Sequence, residues 1–367
     1  MPQQTAINKQ QLLSAIKKVS EAMKTLKNSS MNEQYPIGLI DIDLWEWPQG
    51  VGLYGMYQYF EATADPDVLQ YLISWYDRRI AAGLPERNVN TCSPLITLVS
   101  LAEKTDNPEY RHICKEWSEW VMNGLIRTGE DRAFQHMITG DANDGQILID
   151  TLFMTVMFLA KAGNYFEKPE YVEEAKRQYL LHIKYLYNKK SGLFYHGWDY
   201  NGKHNYGAVH WGRGNAWYTC GAVDFLDTAA MEPGLKEYLL DTLRCQVLAL
   251  VELQHESGLW HTVLDDPSSY LEASASAAIG YGILKGVRLG YLPAELKNNG
   301  MLALQGVLAQ INEDGVVQQV SYGTPVGYDA QFYKDIPISP MTYGQSMTQL
   351  LLIEALKHVD EQQNTYR

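Results

Sequence analysis

The sequence predicts an all-α protein in which an inner ring of enclosed helices sits inside an outer ring of amphipathic ones, as one domain over residues 1–367. Three observations predict it. Apolar, helix-length segments recur along the chain, the stretches between them are polar on one face only, and the joining loops repeat a short Gly turn followed by aromatic and His residues. With 46% apolar residues, a chain of 367 residues can bury the large core that such an arrangement requires.

The enclosed segments begin near Trp45 (WEWPQGVGLYGMYQYF), Asn90 (NTCSPLITLVSLA), Gln146 (QILIDTLFMTVMFLA), His210 (HWGRGNAWYTCGAVDFL), Tyr270 (YLEASASAAIGYGILKG) and Tyr343 (YGQSMTQLLLIEAL). Their starts are spaced by roughly 40–75 residues, room for one return helix and a loop each time. Leu152–Ala160 is apolar almost all round, as a helix enclosed by neighbours must be. From Glu173 onward the pattern changes. Ala175, Tyr179, Ile183 and Leu186 share one face and Lys and Arg take the other, the mark of an outer helix.

The loops SGLFYHGWD (from Ser191), SGLWHTVLD (from Ser257), EDRAFQHM (from Glu130) and EDGVVQQV (from Glu313) each precede an enclosed segment. Each is expected to form a small hairpin, and all should fall on one rim of the ring. That rim would carry His136, His196, Trp198, Trp211, Trp217, Trp260 and His261. Aromatic rings stack on the apolar faces of sugars while polar edges meet the hydroxyls, so the surface suits a carbohydrate; filling of the barrel core accounts equally well for any single ring.

Charge and composition exclude other classes. Thirty basic against 43 acidic residues give a net charge of -13, which disfavours nucleic acid as a partner. A charged fraction of 20% argues against disorder. No uncharged apolar run is long enough for a membrane, and MPQQTAINKQQLLSAIKK has no apolar core of a signal peptide, so a cytoplasmic protein is expected. Cys92, Cys114, Cys220 and Cys245 show no metal or redox spacing and read as free core thiols. No phosphate loop or dinucleotide fingerprint occurs, and neither cofactor nor metal is expected.

The acids near the starts of enclosed segments are Asp41, Asp43, Glu46, Asp141, Asp144, Asp150, Asp199 and Glu272. Asp150 differs in being flanked on both sides by large apolar residues. Burial there would raise its pKa, as a general acid requires, although a helix N-terminus would oppose the shift. A helix cap is the equal alternative. In HWGRGNAW (210–217), Trp211, Arg213 and Trp217 fall at helical spacings, and Gly212 and Gly214 suggest close approach by a ligand or a neighbouring backbone. Arg213 among tryptophans is a cation–π contact or, the favoured reading, a fork for a carboxylate.

These segments together carry a resemblance. TrpProGlnGlyVal (47–51), LeuIleAspThrLeuPheMet around Asp150, GlyLeuPheTyrHisGlyTrpAsp (192–199), TrpGlyArgGlyAsnAlaTrp (211–217), LeuGluAlaSerAlaSer (271–276) and GlyThrProValGlyTyr (323–328) occur in order from about residue 40 onward. The chain resembles glycoside hydrolase family 105, the unsaturated rhamnogalacturonyl hydrolases, and more distantly the family 88 unsaturated glucuronyl hydrolases. The resemblance implies an (α/α)6 barrel and a hydrolase that hydrates the C4=C5 double bond left on a uronic acid by a polysaccharide lyase. Its partner would be a small anionic unsaturated oligosaccharide. Asp150 matches the family's catalytic aspartate, His196 a histidine beside the reacting ring, and Trp211, Arg213 and Trp217 the sugar-contacting cluster. Trp47 with Glu46 matches an aromatic wall, and His136 a rim histidine. Where some relatives carry an aspartate this chain has ArgAsnValAsnThr (87–91), so Asn88 or Asn90 stands in, and Asn cannot share a proton. A sugar epimerase using paired His and Glu, or a binding protein that has lost its acid, are the rival readings; the acid at position 150 is present.

Overall fold

The computed structural model describes residues 7–27 and 40–365, with side chains through residue 359. The first six residues of the segment read for a signal peptide lie outside the described residues.

Apolar, enclosed helices alternate with amphipathic ones along the chain. The outer set is α1 (Lys9–Lys24), α3 (Pro66–Ala81), α5 (Pro108–Asn123), α7 (Pro169–Leu186), α9 (Pro233–Glu252) and α11 (Lys297–Leu308). The inner set is α2 (Trp47–Thr63), α4 (Leu95–Thr105), α6 (Met157–Tyr165, entered through a π-helical turn at Leu152–Val156), α8 (Gly212–Thr228), α10 (Ala273–Arg288) and α13 (Thr342–Thr365), with the short α12 (Ala330–Lys334) before the last. Each inner helix packs on the next, and α13 returns to α2, closing the ring. α1 packs on α13 and completes the outer layer. The fold is the expected all-α (α/α)6 barrel.

The local chemistry explains the alternation. α3, α5, α7 and α9 each open with Pro in the first turn, where its missing N–H is one that no helix would satisfy. Asp65 and Asn107 cap the first two by accepting from the backbone N–H of Asp67 and Glu109. In α7 the buried stripe includes Ala175, Tyr179, Ile183 and Leu186, as its periodicity requires. Inner helices are buried on all sides and approach closely: a Cβ on Gly50 of α2 would lie 2.4 Å from the Pro94 backbone nitrogen beside α4. Some polar groups on the inner helices pair across the lumen, as in the Tyr54 Oη to Asp224 Oδ2 bond (2.7 Å) between α2 and α8.

Three two-stranded antiparallel ribbons lie where outer helices return to inner ones: β1 (Arg127–Thr128) with β2 (Ala133–Phe134), β3 (Gln146–Leu148) with β4 (Gly197–Asp199), and β5 (Trp260–His261) with β6 (Leu271–Glu272). The Gly turn of SGLFYHGWD does close a local hairpin, bridged at Tyr187↔Phe194, but the second ribbon reaches further. The strand in GLFYHGWD pairs with residues some fifty positions earlier, in the register Leu148↔Gly197. No described helix is long and apolar enough to cross a membrane. All four cysteines are free; Cys92, Cys114 and Cys220 are buried, whereas Cys245 is exposed on α9, so it is not the core thiol expected.

Candidate active site

The β3–β4 register builds the site. Beyond Leu148↔Gly197 the Ile149 N–H donates to the His196 carbonyl (3.0 Å), which sets residues 150 and 196 side by side. His196 Nε2 lies 3.3 Å from Asp150 Oδ2, an ion-pair distance, though neither atom makes an aligned hydrogen bond among the described residues. Asp150 opens the π-helical turn into α6, a widened turn of the kind frequent at functional sites. Its side chain is 15% exposed, so one edge reaches the lumen.

Asp150 lies on the wall of a cavity of about 240 Å³, which is also lined by Trp47, Asn90, His136, Trp211 and Arg213. His136 is fixed by its backbone N–H to the Gln146 carbonyl (2.9 Å) and by Nδ1 against Thr151 Oγ1 (2.8 Å). Burial lowers its pKa to about 4, despite the pull of Asp150, so it is a neutral imidazole at ordinary pH. For Asp150 the expected direction is reversed. Burial pushes its carboxyl up, but His196 beside it, with His136 and Arg213 further off, more than offsets this and holds it below the ordinary carboxylate value.

Arg213 does not present the free fork that the sequence suggested. Its Nη1 donates to the Ser321 carbonyl (3.0 Å) and to Ser321 Oγ, and its Nη2 to the Tyr322 carbonyl (2.8 Å) and Thr324 Oγ1 (2.9 Å). The guanidinium is sandwiched over the rings of Trp211 (4.7 Å) and Tyr343 (4.8 Å), with Glu272 Oε1 at 3.9 Å. It therefore staples the 321–324 segment to the barrel, while Nε has no partner among the described residues. Gly212 follows the same logic. Its N–H bonds the Thr262 carbonyl (2.8 Å) and a Cβ would lie 2.8 Å from the His261 carbonyl, so the close neighbour is the protein's own backbone.

The other expected site residues separate into groups. Trp47 and Trp211 line the cavity, and the Trp47 ring stacks on Tyr343 at 4.7 Å. Trp217 is fully buried beneath Trp47, ring centres 6.2 Å apart, and supports the wall without lining it. Asn88 is turned away: it exchanges bonds with Thr91 (2.9 and 3.0 Å) and donates to Thr139 Oγ1 (2.9 Å). Asn90 faces the cavity, and its amide makes no hydrogen bond among the described residues. Glu46 caps α2 through the Trp47 N–H (2.9 Å), accepts from Thr139 Oγ1 (3.1 Å), and lines a neighbouring cavity that shares Asn90. Burial raises its pKa. Of the wider rim, Trp198 packs outward on Tyr185 and Trp260 is core, bonded to the Leu250 carbonyl. Glu272, among the candidate acids, is a buried cap of α10.

Tyr333 was not found from the sequence, and the 323–328 segment was read there only as a motif of the resemblance, without a place in the site. Thr324, Pro325, Val326 and Tyr328 line the cavity, and Tyr333 Oη sits 2.8 Å from His196 Nδ1. Among the described residues no group of His, Cys, Asp or Glu is arranged to hold a metal ion.

Comparison with known proteins decides the family. The model for Glycosyl Hydrolase Family 88 matches residues 16–359. The chain belongs to this family. YesR of Bacillus subtilis, an unsaturated rhamnogalacturonyl hydrolase, is 34% identical over 85% of this chain and 90% of its own. A crystal structure from Salmonella enterica, described as a possible member of GH105, superposes with a TM-score of 0.92 at 40% identity, covering 98% of this chain and 96% of that one. The unsaturated glucuronyl hydrolase of Bacillus sp. GL1 shares the fold at a TM-score of 0.72 and 17% identity, over 96% of this chain and 98% of its own. This glycoside hydrolase thus matches the family resemblance carried by its motifs.

Proposed function

We propose that this family member removes a 4,5-unsaturated uronic acid from the end of lyase-generated oligosaccharides, with unsaturated galacturonyl-rhamnose as its preferred substrate, and that Asp150 is the acid and base. The observation that carries the reading is the single enclosed carboxylate on the cavity wall. Two carboxylates line the cavity, and of these Asp141 is exposed while Asp150 sits against His196. Ordinary glycosidases work with a spaced pair flanking the scissile bond. Hydration of a vinyl ether needs a single group that gives a proton and takes one back.

In this reading the Asp150 proton goes to C4 and the C4=C5 pair forms the new C–H bond, leaving positive charge at C5 shared with the ring oxygen. Water adds to C5 and returns a proton to Asp150. The hemiketal then opens by breaking the C5–ring oxygen bond, and the hemiacetal left at C1 expels the second sugar. Proton transfer from a placed group contributes typically ~10²–10⁴-fold. Trp47 and Trp211 offer ring faces to the sugar, and the Asn90 amide can hold a hydroxyl or the water. The uronate carboxylate is drawn by the buried charge of Arg213, whose terminal nitrogens are already engaged.

Similarity to YesR supports the galacturonyl-rhamnose preference, and four cysteines without a disulfide support action in the cytoplasm. The test is incubation with lyase-digested rhamnogalacturonan, pectin and glycosaminoglycan fragments in separate vessels, following the ultraviolet absorbance of the conjugated double bond. Loss with rhamnogalacturonan fragments is the expected result. Loss only with glycosaminoglycan fragments makes the protein an unsaturated glucuronyl hydrolase, and no loss with any of them removes the reading.

A further inference from the structure

Tyr333 is fully buried and makes two contacts that no packing role requires. Its hydroxyl oxygen accepts the Gly327 N–H (3.0 Å) and lies 2.8 Å from His196 Nδ1. Gly327 belongs to the loop that closes one side of the cavity, and Arg213 fixes the other end of that loop at residues 321–324. His196 touches Asp150 through its opposite nitrogen, Nε2. One hydroxyl therefore joins the seating of the loop to the imidazole that faces the carboxylate.

The chemistry of the chain of contacts is directional. A carboxylate beside Nε2 favours a proton on Nε2, and the neutral ring then offers Nδ1 as an acceptor. The Tyr333 oxygen already accepts from Gly327, which leaves its O–H to donate, and Nδ1 is the acceptor in reach. Trp211 also packs against the ring, with 4.2 Å between centres. The charged or titratable groups that bear on this pair are His136 from the β2–β3 loop, Arg213 from α8 with Glu272 behind it, and Tyr333 from α12.

We propose that Tyr333 is a positioning residue: its hydroxyl fixes His196 in the Nε2–H tautomer only when the 324–328 loop is seated, and so ties closure of the cavity to the protonation of Asp150. Without the hydroxyl, the neutral ring can place its proton on Nδ1 and turn a lone pair toward Asp150. That arrangement disfavours the carboxylate and raises the Asp150 pKa.

Two variants of the full chain test this. Tyr333→Phe removes the hydroxyl alone. Gly327→Ala leaves the hydroxyl and disturbs the loop, because a Cβ there would lie 2.0 Å from the Phe332 ring. The readout is the nitrogen chemical shifts of 15N-labelled histidine, assigned with a His196→Gln control, at a pH where the ring is neutral. The wild type should show the Nε2–H form, and both variants should move toward Nδ1–H. The pH profile of kcat/KM should move with them, the limb governed by Asp150 going to higher pH. A wild-type Nδ1–H tautomer overturns the proposal, as does a Tyr333→Phe variant with lower Tm but unchanged tautomer and profile. A Gly327→Ala variant with wild-type tautomer overturns the link to the loop. The kinetic arm rests on the role proposed for Asp150; the tautomer arm does not, so failure of that role and failure of this proposal are distinguishable.

Discussion

Arg213→Lys separates two roles that the guanidinium combines. In the structure its two terminal nitrogens make four hydrogen bonds, to the Ser321 and Tyr322 carbonyls and to the Ser321 and Thr324 hydroxyls. A lysine ammonium keeps the charge but not the planar fork, and it cannot reach both carbonyls while stacked between Trp211 and Tyr343. Loss of two bonds from a charged donor, at ~1.5 kcal/mol each, amounts to about 3 kcal/mol. Each kcal/mol lowers the Tm of a large chain by about 2 °C, so a fall of about 6 °C is expected. The freed 321–324 segment would also loosen the cavity wall, and kcat/KM should fall for every substrate rather than for uronates alone. Differential scanning calorimetry and steady-state kinetics on the one variant decide the matter. An unchanged Tm with a large, uronate-specific loss of kcat/KM would refute the staple and restore the free carboxylate fork.

Asp150→Asn should retain the fold by circular dichroism and lose ~10²-fold or more in turnover, since the transferable proton is gone; near-normal turnover would assign the proton to another group. Because Asp150 must be protonated to donate and the free protein holds it below the ordinary carboxylate value, kcat/KM should fall as pH rises through the acidic range, whereas kcat, which reports the complex, should hold to higher pH. A kcat/KM that climbs over that range would mean that Asp150 acts first as a base. Lys161, bonded to Ser100 Oγ (2.6 Å), has its pKa lowered by burial to about 8, so between that value and the unfolded value near 10.5 the unfolded chain binds the extra proton and stability rises with pH. Lys161→Met should therefore have a higher Tm than wild type at pH 7, by the equivalent of ~1–3 kcal/mol, with the gap narrowing toward pH 10; a constant gap or a lower Tm at pH 7 would rule this out.

The ring of helices was legible because its signal is local. A run such as Leu152–Ala160 can only be enclosed, and the stripe from Ala175 to Leu186 can only face inward. Pairings across the chain were not legible. The strand at Gly197–Asp199 had a plausible partner in its own turn, yet it bonds to Gln146–Leu148, and that register is what brings His196 to Asp150. The choice between Asn88 and Asn90 did have an unread signal. Asn88 stands three residues before Thr91, a spacing at which the two side chains can satisfy each other's backbone N–H groups, which leaves Asn90 for the cavity. Tyr333 carried no such mark. It is one of 25 tyrosines, and its use depends on where α12 lies over the β4 ribbon.

The reversed pKa of Asp150 has a consequence for how the site works. The sequence shows the apolar neighbours that push the carboxyl up but not His196, His136 and Arg213, which arrive from three separate elements and pull it down. A resting site of this kind is poor at giving a proton. An incoming uronate changes the balance, because it brings a carboxylate into the same cavity, excludes water from the exposed edge of Asp150, and shares the positive potential of Arg213. All three effects disfavour a second negative charge and raise the Asp150 pKa. On this argument the substrate supplies the last condition for its own protonation, and a neutral unsaturated sugar of the same shape would bind without reacting at a comparable rate. Comparison of kcat for a uronate substrate and its methyl ester would show it: the ester should lose kcat as well as affinity, whereas loss of affinity alone would mean that Arg213 serves only to bind.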